Sequence, residues 1–293
     1  MCTMARRRRK KKLPLKRFLA LAALVIGAIY GVAEKYYPEQ LDEFRARFEW
    51  LINPYYAVGA SIPSEIEDRG LLPVSSKCVQ LLKNIGYVSG FSNVYAVPLW
   101  VGYVVTYPFK YESSERPPVF EKDPRAYGSA EHSDYSNSGF DRGHMAPNYA
   151  VARCYGKKAQ METFYMTNIV PQKPDMGRGI WKRLEMHIAN KLSEKYGKVL
   201  VFVGPILKQP LSKLNGRVAV PDSFYAVLMV KDRYGKAYAI GFIIPQSAQG
   251  KSVWRYCVPI DEIEAQTGID FFQNLPDDAE EKLESNAQFG PFV

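Results

Sequence analysis

The 293-residue chain contains only three histidines, His132, His144 and His187, and histidine is the side chain whose ordinary pKa suits it to proton transfer near neutral pH. His144 has the most informative surroundings. It closes Asp141-Arg142-Gly143-His144 within the stretch Ser138-Gly139-Phe140-Asp141-Arg142-Gly143-His144-Met145-Ala146-Pro147-Asn148. Along an extended chain alternate side chains share a face, so Arg142 and His144 point the same way and Asp141 the other. An imidazole able to take a proton from water, beside a planar guanidinium able to hold phosphate oxygens, is what hydrolysis of a phosphodiester requires. Asp141 is expected to tie down backbone or an arginine at the edge of the substrate site. His187 follows Glu185 by two positions on a helical stretch and is expected to be packed or solvated. His132 sits in a polar loop.

These residues need a strand to carry the base and a helix to face it, and the pattern supplies both. Residues 85–92 and 99–107 are rich in Tyr and Val and bounded by Gly, Asn and Pro, which predicts strands. Residues 162–170 predict another strand, and residues 180–196 an amphipathic helix with Leu184, Ile188 and Leu192 on one face. Further strands are predicted at 199–203, 224–231 and 237–244, the last two joined as a hairpin through Asp232-Arg233-Tyr234-Gly235. Short helices are expected after Pro259, ending at Gly268, and over 277–285. Between 110 and 139 runs a loop too long for an ordinary connection, which points to function. The class is α+β, a largely antiparallel central sheet with packed helices.

The formal charge of +9 suggests a nucleic-acid binder until its distribution is checked. Nine basic residues fall in the first seventeen, leaving 30 Lys and Arg against 30 Asp and Glu in the rest. A neutral body excludes a global positive field, so any grip on phosphate must be local. The basic run 1–17 precedes sixteen uncharged residues, 18–33, in the layout of a signal peptide or membrane anchor. Its basic end is expected to stay in the cytoplasm and the remainder to be delivered across a membrane, anchored or secreted. Residues 34–74 read as a stalk and linker, and 75–293 as the main domain. Cys78, Cys154 and Cys257 show no zinc spacing, and one disulfide with one free thiol is compatible with their number. No motif for a small organic cofactor is present.

Three segments taken together, Asp141-Arg142-Gly143-His144, Asn168-Ile169-Val170-Pro171-Gln172 and Trp181-Lys182-Arg183-Leu184-Glu185, resemble the DNA/RNA non-specific endonucleases, the group that includes endonuclease G. The likeness extends to Pro98-Leu99-Trp100, Phe202-Val203-Gly204-Pro205 and Thr267-Gly268-Ile269-Asp270-Phe271-Phe272, and spans roughly residues 87–284. It implies a ββα-metal, or His-Me finger, site that cuts DNA and RNA with magnesium or manganese, and it leaves a homodimeric state open. In that scheme His144 is the general base and Arg142 its phosphate-binding neighbour. Glu185 orients metal-bound water, Asn168 supports the site and contributes to the metal, and Arg116 is a second transition-state arginine. One position departs from the pattern. The family's metal-ligating asparagine, eight residues before the helix glutamate, falls on Gly177. Asp175, Asn168 or a backbone carbonyl is then expected to take its place, or water to fill it in a weaker site. Loss of catalysis would leave a membrane-tethered nucleic-acid-binding protein.

Overall fold

The computed structural model describes residues 71–77, 79–112 and 115–293. Its centre is a seven-stranded sheet, antiparallel at every pairing, in the order β12-β11-β10-β7-β4-β3-β2. The strands are β2 (Gln80–Asn84), β3 (Tyr87–Ser92), β4 (Val97–Thr106), β7 (Lys198–Ile206), β10 (Ser223–Lys231), β11 (Ala237–Pro245) and β12 (Cys257–Val258). Three two-stranded ribbons accompany it: β1 (Val74–Ser75) with β13 (Ile269–Asp270), β5 (Asp141–His144) with β6 (Ile169–Gln172), and β8 (Lys213–Leu214) with β9 (Val218–Ala219).

The middle strands are apolar along nearly their whole length because both faces of the sheet are covered. Alternation sorts their side chains into two cores. Val199, Val201 and Val203 of β7, with Phe224, Ala226 and Leu228 of β10, pack under one layer of helices. That layer holds α1 (Asn148–Tyr155), α2 (Lys157–Glu162) and α3, a continuous helical stretch over residues 174–196 that seats Ile180, Trp181, Leu184, Ile188 and Leu192 on the sheet. Leu200, Phe202, Tyr225, Val227 and Met229 face the other way, against α4 (Ile260–Thr267), α5 (Asp277–Glu284) and Phe271 and Phe272. Gly268, in the left-handed region at φ 68°, ends α4 by donating its N–H to the Glu264 carbonyl.

Two elements differ from the sequence expectation. Residues 162–170 form no continuous strand: Glu162 ends α2, a 3₁₀ turn occupies Met166–Asn168, and β6 begins only at Ile169. The segment is β-rich in composition because it is buried, not because it is extended throughout. Helix α3 begins at Pro174, before the periodic apolar positions, and contains wider π-helical turns at Gly177–Trp181 and Ile188–Leu192. The remaining expected strands and helices are present with shifted ends. The free thiols Cys154 and Cys257 are unpaired with each other, and Cys78 lies outside the described residues. Among the described residues no helix is long and apolar enough to cross a membrane, and the segments 1–17, 18–33 and nearly all of 34–74 lie outside them.

Candidate active site

The DRGH strand β5 stands apart from the main sheet, paired antiparallel with β6 so that His144 lies opposite Ile169 and Gly143 opposite Val170. What holds its end is Asn168, fully buried at the last position before β6. The Met145 N–H donates to the Asn168 carbonyl (2.9 Å) and the Ala146 N–H to Asn168 Oδ1 (2.8 Å). Asn168 Nδ2 in turn donates to the carbonyls of Ala146 (3.0 Å) and Thr163 (2.9 Å). A buried side chain whose hydrogen bonds are made in this way fixes the chain leaving His144. Opposite stands the first half of α3, and between them opens a cleft of about 510 Å³.

His144, Arg142, Arg116 and Glu185 all line this cleft. The His144 ring lies against Phe120 and Phe164, with centroids 5.3 and 4.9 Å away, and its Nε2 is buried without a hydrogen-bond partner. Burial first, then the charge of Arg116, pushes its pKa down from 6.5 to about 3, so the imidazole is neutral and its ring nitrogen is uncommitted. Arg142 Nη2 donates to the His132 carbonyl (2.6 Å), and its guanidinium carbon sits 5.7 Å from the centre of the Tyr135 ring. Arg116 comes from the long loop and stacks 5.3 Å from the centre of Phe164. That loop is pinned by the buried Asp123, which pairs with Arg125 (2.7 Å) and accepts the Thr167 hydroxyl (2.7 Å).

On the helix side, Glu185 Oε1 accepts the Trp181 indole N–H (3.1 Å), and burial raises its pKa to about 8. Asp141 also reaches the cleft wall, where both its oxygens take the guanidinium of Arg178 at 2.7 Å, tying the strand to the start of α3. Arg116, Arg142, Arg178 and Lys182 outnumber Asp141 and Glu185 on the cleft wall, giving the neutral body one locally basic recess.

The family profile described as DNA/RNA non-specific endonuclease matches residues 72–278. The chain belongs to the DNA/RNA non-specific endonuclease family. Among its relatives, the mitochondrial nuclease EXOG of Danio rerio is 30% identical over 276 residues, covering 87% of this chain and 75% of that protein. A nuclease of Nostoc sp. is 32% identical over 214 residues, 68% of this chain and 75% of the relative. Mitochondrial endonuclease G of Homo sapiens is 32% identical over 164 residues, and there the match takes in 51% of this chain and 54% of the relative. The fold matches a chain in a crystal structure of the EndoG/EndoGI complex with a TM-score of 0.64 at 24% identity, covering 74% of this chain and 94% of that one.

Within this non-specific endonuclease fold, the residues expected to replace the family asparagine do not reach the cleft. Asp175 lines a separate recess with Gly139, Phe140 and Gln246. Asn168 is spent on bracing β5, as its hydrogen bonds require, and is absent from the cleft wall. The side chain nearest position 177 is Gln172 of β6. A Cβ built on Gly177 would stand 2.8 Å from Gln172 Oε1, and one built on Gly143 would stand 2.4 Å from the same oxygen. The two glycines therefore make the cradle in which this carboxamide lies. Asparagine's own Oδ1 is roughly 2.4 Å from its Cβ by standard bond lengths, so the Gln172 oxygen stands about as far from position 177 as the missing ligand oxygen would. Gln172 is 4% exposed and its Nε2 has no hydrogen-bond partner. It was missed from sequence because its partner relationship is with two glycines, one diagonally across the ribbon and one on the following helix. His187 takes no part: it bonds the Phe292 carbonyl (2.8 Å) and packs edge-on against Trp254.

Proposed function

We propose that the chain hydrolyses phosphodiester bonds of DNA and RNA without reading base identity, with His144 as general base. The observation that carries this reading is the neutral His144 imidazole on the wall of a cleft that also presents Arg116 and Arg142. The imidazole accepts a proton from the attacking water, and the two guanidinium groups hold the phosphate oxygens on which charge accumulates. Negative phosphate in the cleft opposes the effect of Arg116 and raises the imidazole's basicity as substrate binds. The recess offers arginine forks for backbone phosphate and no element suited to enter a groove and read base edges, which favours sequence-independent cutting.

The cleft also fits a divalent cation, magnesium or manganese. The Gln172 carboxamide, otherwise uncommitted, would hold it directly and the Glu185 carboxylate through water, a donor set suited to a hard ion that keeps most of its waters. Bound there it would offset charge on the phosphate and leaving oxygen. The basic run and apolar segment at the N-terminus support delivery across a membrane, and tethering there would confine the activity to one surface.

Gly177 favours one competing reading, a tethered protein that retains nucleic acid without cutting it. Cleavage of plasmid and RNA by the full chain with magnesium, manganese or chelator, beside His144→Ala, separates the two. The expected result is cation-dependent cutting of both polymers, reduced about 10²- to 10⁴-fold in the variant. Folded protein that holds DNA but cuts nothing with any cation would leave the binding protein standing.

A further inference from the structure

The sheet face opposite the cleft carries a group of carboxylates that the nuclease chemistry does not use. Asp261 and Glu264 project from α4 and Glu284 from the end of α5, and one carboxylate oxygen of each lies within 4.8 Å of the others. Their neighbours Ile260, Ile263 and Leu283 belong to the core on that face, separated by the sheet from His144. Glu284 is 5% exposed, and its Oε1 is buried with no hydrogen-bond partner. Glu264 is positioned by the Phe271 N–H, which donates to its Oε1 at 2.7 Å. Among the described residues no lysine or arginine forms an ion pair with any of the three.

The surroundings add more acid. Asp270 and Glu280 stand close enough to act on the group, and burial together with this repulsion raises Glu264 to about 7 and Glu284 to about 9. A buried carboxylate with an orphaned oxygen is costly unless something positive or a shared proton satisfies it. Protons would neutralise these carboxylates one at a time, whereas one divalent cation would neutralise the group together and give the orphaned oxygen a partner. Oxygens on opposite sides of calcium, bound at about 2.3–2.6 Å, stand roughly 5 Å apart, whereas those around magnesium stand roughly 4.2 Å apart. Three oxygens all within 4.8 Å of one another fit around an ion of calcium's size. Asp261 is exposed, which gives the ion a path in and room for waters to complete its shell.

We propose that Asp261, Glu264 and Glu284 form a binding site for a divalent cation of calcium's size, which clips α5 onto α4 on the side of the sheet away from the active site. The role is structural: the ion joins the end of the last helix to the helix that precedes β13, and stabilises this layer without contacting substrate.

The test uses the full chain, stripped with chelator and carrying Gln172→Ala and Glu185→Gln so that the cleft contributes little cation binding. Its thermal midpoint is followed against calcium, with magnesium at equal ionic strength for comparison. A saturable rise of about 5 °C at hundredfold excess over the half-saturating concentration is expected with calcium, and a smaller one with magnesium. Glu284→Gln keeps the size of the side chain and removes its charge, and should abolish the rise. Should that variant fail to fold, Asp261→Asn at the exposed position serves instead, and should weaken calcium binding at least tenfold. A midpoint indifferent to calcium, or the same response in the variants as in the parent, overturns the proposal.

Discussion

Three side chains of the cleft, Arg142, His144 and Gln172, have polar atoms with no protein partner, and the last two each make a prediction. Gln172 lies where Gly177 leaves space, so Gln172→Ala should weaken cation binding about tenfold or more, read by manganese titration calorimetry and independent of turnover. Adding Gly177→Asn to Gln172→Ala should recover most of that affinity, because the clash with Oε1 has been removed and a carboxamide returns from the helix side. No change in either titration would dismiss Gln172 as a ligand. The second is His144, whose pKa in the folded chain is about 3 against an ordinary 6.5. Measured with cation saturating, so that Glu185 stays ionised, the kcat/KM profile should stay flat from pH 7 to about 5. A solvated imidazole would lose roughly tenfold by pH 5.5. Unfolded chain takes up a proton on His144 through 6.5 while folded chain does not, so this residue's contribution to stability is present above 6.5 and is lost as pH falls towards 3.

At the level of elements, the short ribbon β5-β6 is too small to hold its register alone, and Asn168 does so through hydrogen bonds to Ala146 and Thr163. Asn168→Ala would leave a buried N–H and carbonyls unpaired and should cost about 2–4 kcal/mol in urea unfolding. Its effect on catalysis should appear mainly in kcat, because the chain leaving His144 loses its brace while Arg116, on the separate long loop, remains. A variant as stable as the parent would show that the ribbon has other support. The Asp123-Arg125-Thr167 network plays the corresponding part for the long loop, and through it for the placing of Arg116.

For the molecule as a whole, a neutral body with one basic recess limits how many phosphates are held. If Arg116, Arg142 and Lys182 make the contacts, the logarithm of duplex affinity should fall with the logarithm of salt at a slope of roughly −3, and Arg142→Met should reduce it by about one. A slope near −8 would mean that a larger basic surface takes part. The three-layer build, helices on both faces of one antiparallel sheet, also explains why the recess and the carboxylate group can be altered independently: one lies on each side.

Much of this was legible in one dimension because local chemistry repeats local geometry. The pairing of Arg142 with His144 follows from alternation along a strand, the seat of α3 from its apolar spacing, and the neutral body from counting charges after residue 17. The family followed from motifs kept in order. Other features arise only when distant segments meet. Asn168 was expected to support the site and to contribute to the metal, and the form of that support, hydrogen bonds to Ala146 and Thr163, appears only in space. Asp175 points into another recess because α3 starts early, at Pro174. Gln172 gained its place from the absence of a side chain at Gly143 and Gly177, and Glu284 its unpaired oxygen from the approach of α5 to α4. Residue type sets which atoms are available for chemistry; burial and the company of segments remote in sequence decide which of those atoms remain uncommitted.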